Sequence, residues 1–151
     1  GAQTTDDYIE WSVKANPAFE VAVDEIDIRL RRNANGPENW QIFYSLDGFA
    51  SAGIDVSGAQ TLAENTTTNF NFGTLGIDSG VSGTITFRVY AWGARANNGN
   101  FRVFGQTIWS SPLAIANPGV RIIGGVSTTS TNSNESDIIS STFIFWPCIF
   151  P

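Results

Sequence analysis

The sequence predicts an all-β fold: a two-sheet antiparallel β-sandwich, of jelly-roll type, with an extended C-terminal strand. Three observations carry this expectation. Short runs rich in aromatic and β-branched residues alternate apolar with polar side chains, the period of a strand with one buried face. Turn signals built on Gly, Asn, Asp and Pro recur at intervals of roughly 8–12 residues, the spacing of sandwich strands. No stretch sustains a helical period, and the 15 glycines among 151 residues favour turns over helices.

The elements follow in order. Residues 1–7 are a polar leader. Tyr8-Ile9-Glu10-Trp11-Ser12-Val13 alternates and reads as a first strand, closed by the Asn16-Pro17 turn. Next comes the cleanest strand signal. Phe19, Val21 and Val23 face one way, and beyond Asp24-Glu25 the residues Ile26, Ile28 and Leu30 do the same. Glu25, Asp27, Arg29 and Arg31 then face solvent, and the broken alternation between Val23 and Ile26 predicts a bulge.

The run Asn33-Ala34-Asn35-Gly36-Pro37 is a loop, after which Trp40, Ile42, Tyr44 and Leu46 alternate with Gln41, Phe43 and Ser45. Asp47-Gly48 marks a tight turn, because glycine accepts the positive φ such turns demand. Residues 50–66 are weakly patterned, and a strand is expected over 69–77. Residues 84–92 read as a central strand, with Ile85, Phe87, Val89 and Ala91 on one face and Thr86, Arg88, Tyr90 and Trp92 on the other. Asn97-Asn98-Gly99-Asn100 is expected to close a hairpin into Phe101-Arg102-Val103, and Val120–Ile123 to form a final short strand of the body. The count is eight or nine strands, with no internal repeat.

The last segment differs in kind. A Ser/Thr/Asn-rich linker over 127–137 leads into the apolar segment 138–151, with Ile138, Ile139, Phe143, Ile144, Phe145, Trp146, Ile149 and Phe150. It is too short, and too interrupted by Pro147, for a membrane-spanning helix, which needs about 20 apolar residues. Such a segment aggregates unless covered. Its cover is either its own domain, which it would complete as a sheet strand, or a neighbouring molecule.

Three groups of residues together resemble a β-sandwich domain of secreted multidomain bacterial proteins. They are Ile26–Arg32 with Gly36-Pro37 and Trp40, then Ser45-Leu46-Asp47-Gly48-Phe49, and Phe87–Ala94 with Gly99-Asn100-Phe101-Arg102. The resemblance covers roughly residues 8–110 and excludes the tail. It implies an extracellular module found beside sorting signals or polysaccharide-active domains, adhesive or carbohydrate-associated rather than catalytic.

Composition narrows the function. A formal charge of −6 and a pI near 4.4 argue against binding a phosphate backbone, which needs clustered Lys and Arg. One cysteine, Cys148, excludes an intramolecular disulfide, and with no histidine it excludes Cys/His metal sites. Acid–base catalysis would fall to a carboxylate pair, and Asp24, Glu25 and Asp27 read more simply as solvated charges beside Arg29 and Arg31. No enzyme is expected. No cofactor is expected either, apart from a structural Ca²⁺ for which Asp6, Asp7, Asp24 and Glu25 are weak oxygen donors without loop spacing. With no methionine in the sequence, Gly1 is expected to follow a processing step. A removed signal peptide is the simplest account and implies export to the extracellular space or cell surface; a cleaved tag is the alternative.

Two function classes remain, of which the first is the one expected and the second its alternative. The first is a structural subunit, a homopolymer of extracellular filaments or matrix. There the twelve residues between Gly125 and Ile138, spanning ~40 Å when extended, deliver the C-terminal strand head-to-tail into a neighbour as a donor strand. Cys148 is then buried or bonds between molecules. The second is a carbohydrate-binding module with Arg88, Tyr90, Trp92 and Arg102 as its platform, unless those aromatics are core on both faces.

Overall fold

The computed structural model describes residues 8–103, 119–128 and, as backbone alone, 139–145. Eleven strands are described: β1 (Tyr8–Lys14), β2 (Phe19–Arg32), β3 (Asn39–Ser45), β4 (Ile54–Asp55), β5 (Gln60–Thr61), β6 (Thr67–Phe72), β7 (Ile77–Asp78), β8 (Thr84–Trp92), β9 (Phe101–Val103), β10 (Val120–Thr128) and β11 (Ile139–Phe145). They form two antiparallel sheets, as the alternation predicts. The first runs β1-β8-β3-β4 with β5 also on β3; the second runs β11-β10-β2-β6, with β7 and β9 also on β2.

The core lies between the sheets. Val21, Val23, Ile26, Ile28, Leu30 and Ile122 from one sheet meet Trp40, Ile42, Ile85, Phe87 and Val89 from the other, all buried. Trp40 is fully enclosed, with Phe70 edge-on at 4.6 Å and Phe72 at 6.1 Å between centroids. These edge contacts join the two sheets, since Trp40 belongs to β3 and both phenylalanines to β6. Trp11 stacks on Phe87 at 5.7 Å and closes the β1 side of the core.

The predicted bulge is present. On β10 the register steps from Ile123 opposite Glu25 to Gly124 opposite Val23, leaving Asp24 as the extra residue of β2. Gly124 is required here, because a Cβ would drive into the carbonyl of Ala22. Leu46, expected inside, is instead half-exposed at 52%, because β3 ends at Ser45 and the chain has already turned. The strand expected over 69–77 is two, β6 and β7, and both pair with β2.

One end of the sandwich is held by interlocked loops. Arg32 is buried, and its guanidinium donates to backbone carbonyls: Nε to Leu62 O at 2.5 Å, and Nη1 to Asn33 O and Gly36 O at 3.4 Å each. Asn33 and Asn100 exchange backbone and side-chain bonds, and Asn35 Nδ2 donates to Asn98 Oδ1 at 2.8 Å. Gly36 and Gly99 sit where a side chain would strike the facing backbone, Asn100 O and Asn35 O respectively.

Two expectations are corrected. Asn97–Asn100 does not close a hairpin: β8 lies in the first sheet, whereas β9 pairs with β2 in the second, Arg102 opposite Arg31. The run carries the chain from one sheet to the other. The last strand of the body is also longer than Val120–Ile123, reaching Thr128 and taking in the first two residues of the expected linker. The apolar segment then pairs along β10 of its own chain, Val126 opposite Ile139 through Val120 opposite Phe145. Expected as a plug for a neighbour, it stands here at the edge of its own sheet. Ile138, Trp146, Cys148, Ile149 and Phe150 lie outside the described residues, as do Asp6 and Asp7.

Candidate functional site: an aromatic and arginine face

The alternation of β8 settles which side chains leave the core. Ile85, Phe87 and Val89 are buried between the sheets, so Thr86, Arg88, Tyr90 and Trp92 belong to the opposite face. Strand register then builds rows across that face. Tyr90 lies between Tyr8 and Gln41, and Arg88 between Glu10 and Phe43, with Asp55 beyond. Thr86 lies between Ser12 and Ser45, and Trp92 lies opposite Asn39. Residues more than thirty positions apart thus become neighbours at ladder spacing, within about 5 Å.

The turn after β3 adds one more ring. Ser45 Oγ donates to Asp47 Oδ1 at 2.6 Å and accepts from the backbone N–H groups of Asp47 at 3.1 Å and Phe49 at 2.8 Å. Asp47 Oδ2 accepts from the Ser51 hydroxyl at 2.5 Å and from Ser51 N at 3.1 Å. The serine hydroxyls, Ser45 first, hold the Asp47 carboxyl down at about 2, against an ordinary 3.8. Gly48 and Phe49 both have positive φ, 68° and 64°. That conformation costs a residue with a Cβ about 1–2 kcal/mol, and the Ser45–Asp47–Ser51 bonds hold it in place.

The result is a clasp around Arg88. Its guanidinium lies 4.0 Å from the ring centroid of Tyr8 and 4.1 Å from that of Phe49. Its Nε donates to Glu10 Oε2 at 2.7 Å, and Nη1 reaches the Tyr90 hydroxyl at 3.5 Å. Tyr90 is in turn edge-on to Tyr8 and to Phe43, each at 5.7 Å. Gly53 leaves room for this arrangement, since a Cβ there would stand 2.5 Å from Phe49 Cε1. Tyr8 is 41% exposed and Tyr90 only 8%, with Phe43, Phe49 and Trp92 between.

Of the four platform residues expected, Arg88, Tyr90 and Trp92 share this face; Arg102 does not, because β9 belongs to the other sheet. Tyr90 supports the face from beneath rather than presenting a ring. Sequence reasoning missed Tyr8, Glu10, Phe43 and Phe49. Their only signals were the polar-side alternation of the first strand and the Ser45–Phe49 turn motif.

Two of the acidic candidates are engaged elsewhere. Glu25 and Asp27 accept from Asn71 Nδ2 at 2.8 and 2.6 Å, and Asp27 also pairs with Arg121. Among the described residues no group of three or more His, Cys, Asp or Glu is placed to hold a metal ion, and no helix is long and apolar enough to cross a membrane. Comparison with protein-family models, with curated proteins and with solved structures finds no match.

Proposed function

We propose that this chain is a secreted, non-enzymatic carbohydrate-binding module whose ligand surface is the outer face of the β1-β8-β3-β4 sheet. One observation carries the reading. Tyr8, Phe43, Phe49 and Trp92, from three strands and a turn, converge on one outward face, with Phe49 held in a left-handed conformation that sets its ring over Arg88. Sugar rings present flat C–H faces that pack on aromatic side chains, while their hydroxyls seek side-chain amides and carboxylates. Gln41 and Asn39 occupy the same rows and supply such groups.

A glycan array followed by calorimetry on the best hit tests this. Tyr8→Ala and Trp92→Ala should each weaken binding by about tenfold, equivalent to about 1.4 kcal/mol. Val81→Ser, an exposed apolar residue in the connection from β7 to β8, should bind as the parent does. Equal binding by all three variants would place the ligand elsewhere.

A second reading, a structural subunit joined to identical copies, is favoured by a separate observation. β11 pairs with β10 at the end of the sheet order, and ten residues separate the two strands. Ten residues extend to ~35 Å, so the strand of one copy could reach the same edge of another. Multimers of the full chain that vanish in a chain ending at Thr128, with the sandwich still folded, would support exchange; a full chain that stays monomeric at every concentration refutes it.

A further inference from the structure

Recognition of a uronate or a sulfated sugar calls for a cation whose donors are free to fork onto the anion. Arg88 stands at the centre of the outer face, but it is already occupied. Glu10 takes its Nε at 2.7 Å, Tyr8 and Phe49 lie at 4.0 and 4.1 Å, and its side chain is only 18% exposed. An incoming carboxylate would have to evict Glu10 and push the rings of Tyr8 and Phe49 aside. Lys14, the other cation among the described residues of these rows, lies opposite Thr84. That is four residues along the ladder from Arg88, or about 13 Å.

The remaining charges of the face are negative. Glu10 is 40% exposed, Asp55 lies opposite Phe43, and Asp47 sits on the turn that carries Phe49. The chain as a whole carries −6. Anionic polymers approach such a surface against its field. What the face does offer is an uncharged set: the exposed ring of Tyr8, the half-buried rings of Phe49 and Trp92, and the amides of Gln41 and Asn39, each both donor and acceptor.

We infer that the face takes an uncharged polysaccharide, a neutral hexose or pentose polymer, and that Glu10 acts as a selectivity residue by keeping Arg88 from acidic sugars. The inference rests on the carbohydrate reading above. The probes are cellohexaose, xylohexaose and mannohexaose on one side, and polygalacturonate and heparan sulfate on the other. Each is titrated into the full chain and into Glu10→Gln at about 20 and about 500 mM salt, where screening separates electrostatic from stacking contributions.

The parent protein should bind one of the neutral oligosaccharides with less than about a twofold change between the two salts, and neither acidic polymer. Glu10→Gln should gain salt-sensitive binding to polygalacturonate that the parent lacks. Parent binding to an acidic polymer, weakened about tenfold by salt, overturns the inference while leaving the carbohydrate reading intact. Silence on all five probes refutes both. Self-association abolished by Tyr8→Ala would assign the face to a second copy of the chain and overturn the inference as well.

Discussion

Replacing Gly53 by alanine puts a methyl group 2.5 Å from Phe49 Cε1 and 3.1 Å from Phe43 Cβ. The backbone at 53 has no left-handed φ, so alanine is locally tolerated, and the clash falls on the free edge of a ring. The ring swings away and leaves Arg88. The loss of one cation–π contact at a partly exposed site is about 0.5–1 kcal/mol. Opposing it, a Gly→Ala change at a compatible position stabilises by about 0.4–1 kcal/mol through the unfolded chain. In the parent protein the two nearly cancel. In a Phe49→Ala background the clash with the ring is gone, and the stabilising effect is opposed only by the 3.1 Å contact with Phe43 Cβ, which is common to both backgrounds.

The readable quantity is therefore the difference between backgrounds, about 0.5–1 kcal/mol of coupling. Urea unfolding of the four proteins measures it, provided the slope with denaturant stays constant. If Gly53→Ala shifts stability equally in both backgrounds, Phe49 does not depend on the space at 53, and the geometric account of the clasp is wrong.

Two further outcomes follow from the fold. Trp40→Ala empties a fully buried site shared by both sheets and should cost about 3–5 kcal/mol by thermal or denaturant unfolding, a large share of a domain's total. For Asp47, a folded pKa of about 2 against 3.8 means that its ionised form stabilises the protein above pH ~4 and that this contribution is lost as pH falls through ~2. Asp47→Asn should flatten the melting temperature against pH across that window and leave the profile above pH 5 parallel to the parent; an unchanged acid limb would show that the turn bonds do not persist in solution.

The strands were legible where one face is buried and the other wet. β2, β3 and β8 alternate cleanly, and even the bulge at Asp24 showed as a missed beat in the pattern. Partnership was not legible, because alternation says which side of a strand is inside and nothing about which strand lies beside it. Asn97–Asn100 therefore looked like a hairpin turn, although its Gly99 is demanded by the closeness of Asn35 and not by a turn between paired strands. The strand expected over Val120–Ile123 looked finished before Gly124-Gly125, whereas β10 runs through both and Gly124 is small because it crosses the bulge at Ala22. The site suffered most. Arg88 was legible beside Tyr90 and Trp92 on one strand face, but Tyr8 and Phe49 were not, because only the β1–β8 ladder and the turn after β3 bring them to it.

The ladder between β1 and β8 also has a consequence in time. Tyr8 pairs with Tyr90, so β1, once out of the ribosome, waits for more than eighty residues before its partner exists. At synthesis rates of about 5–20 residues per second that wait is roughly 4–16 s. Throughout it, the Ile9, Trp11 and Val13 side of the strand is uncovered, the condition in which unpaired strands find one another. The interleaved Glu10, Ser12 and Lys14 put a charge or a hydroxyl at every second position. Glu10 thus serves the nascent chain as a solubilising group long before Arg88 is made, and only afterwards becomes its counterion.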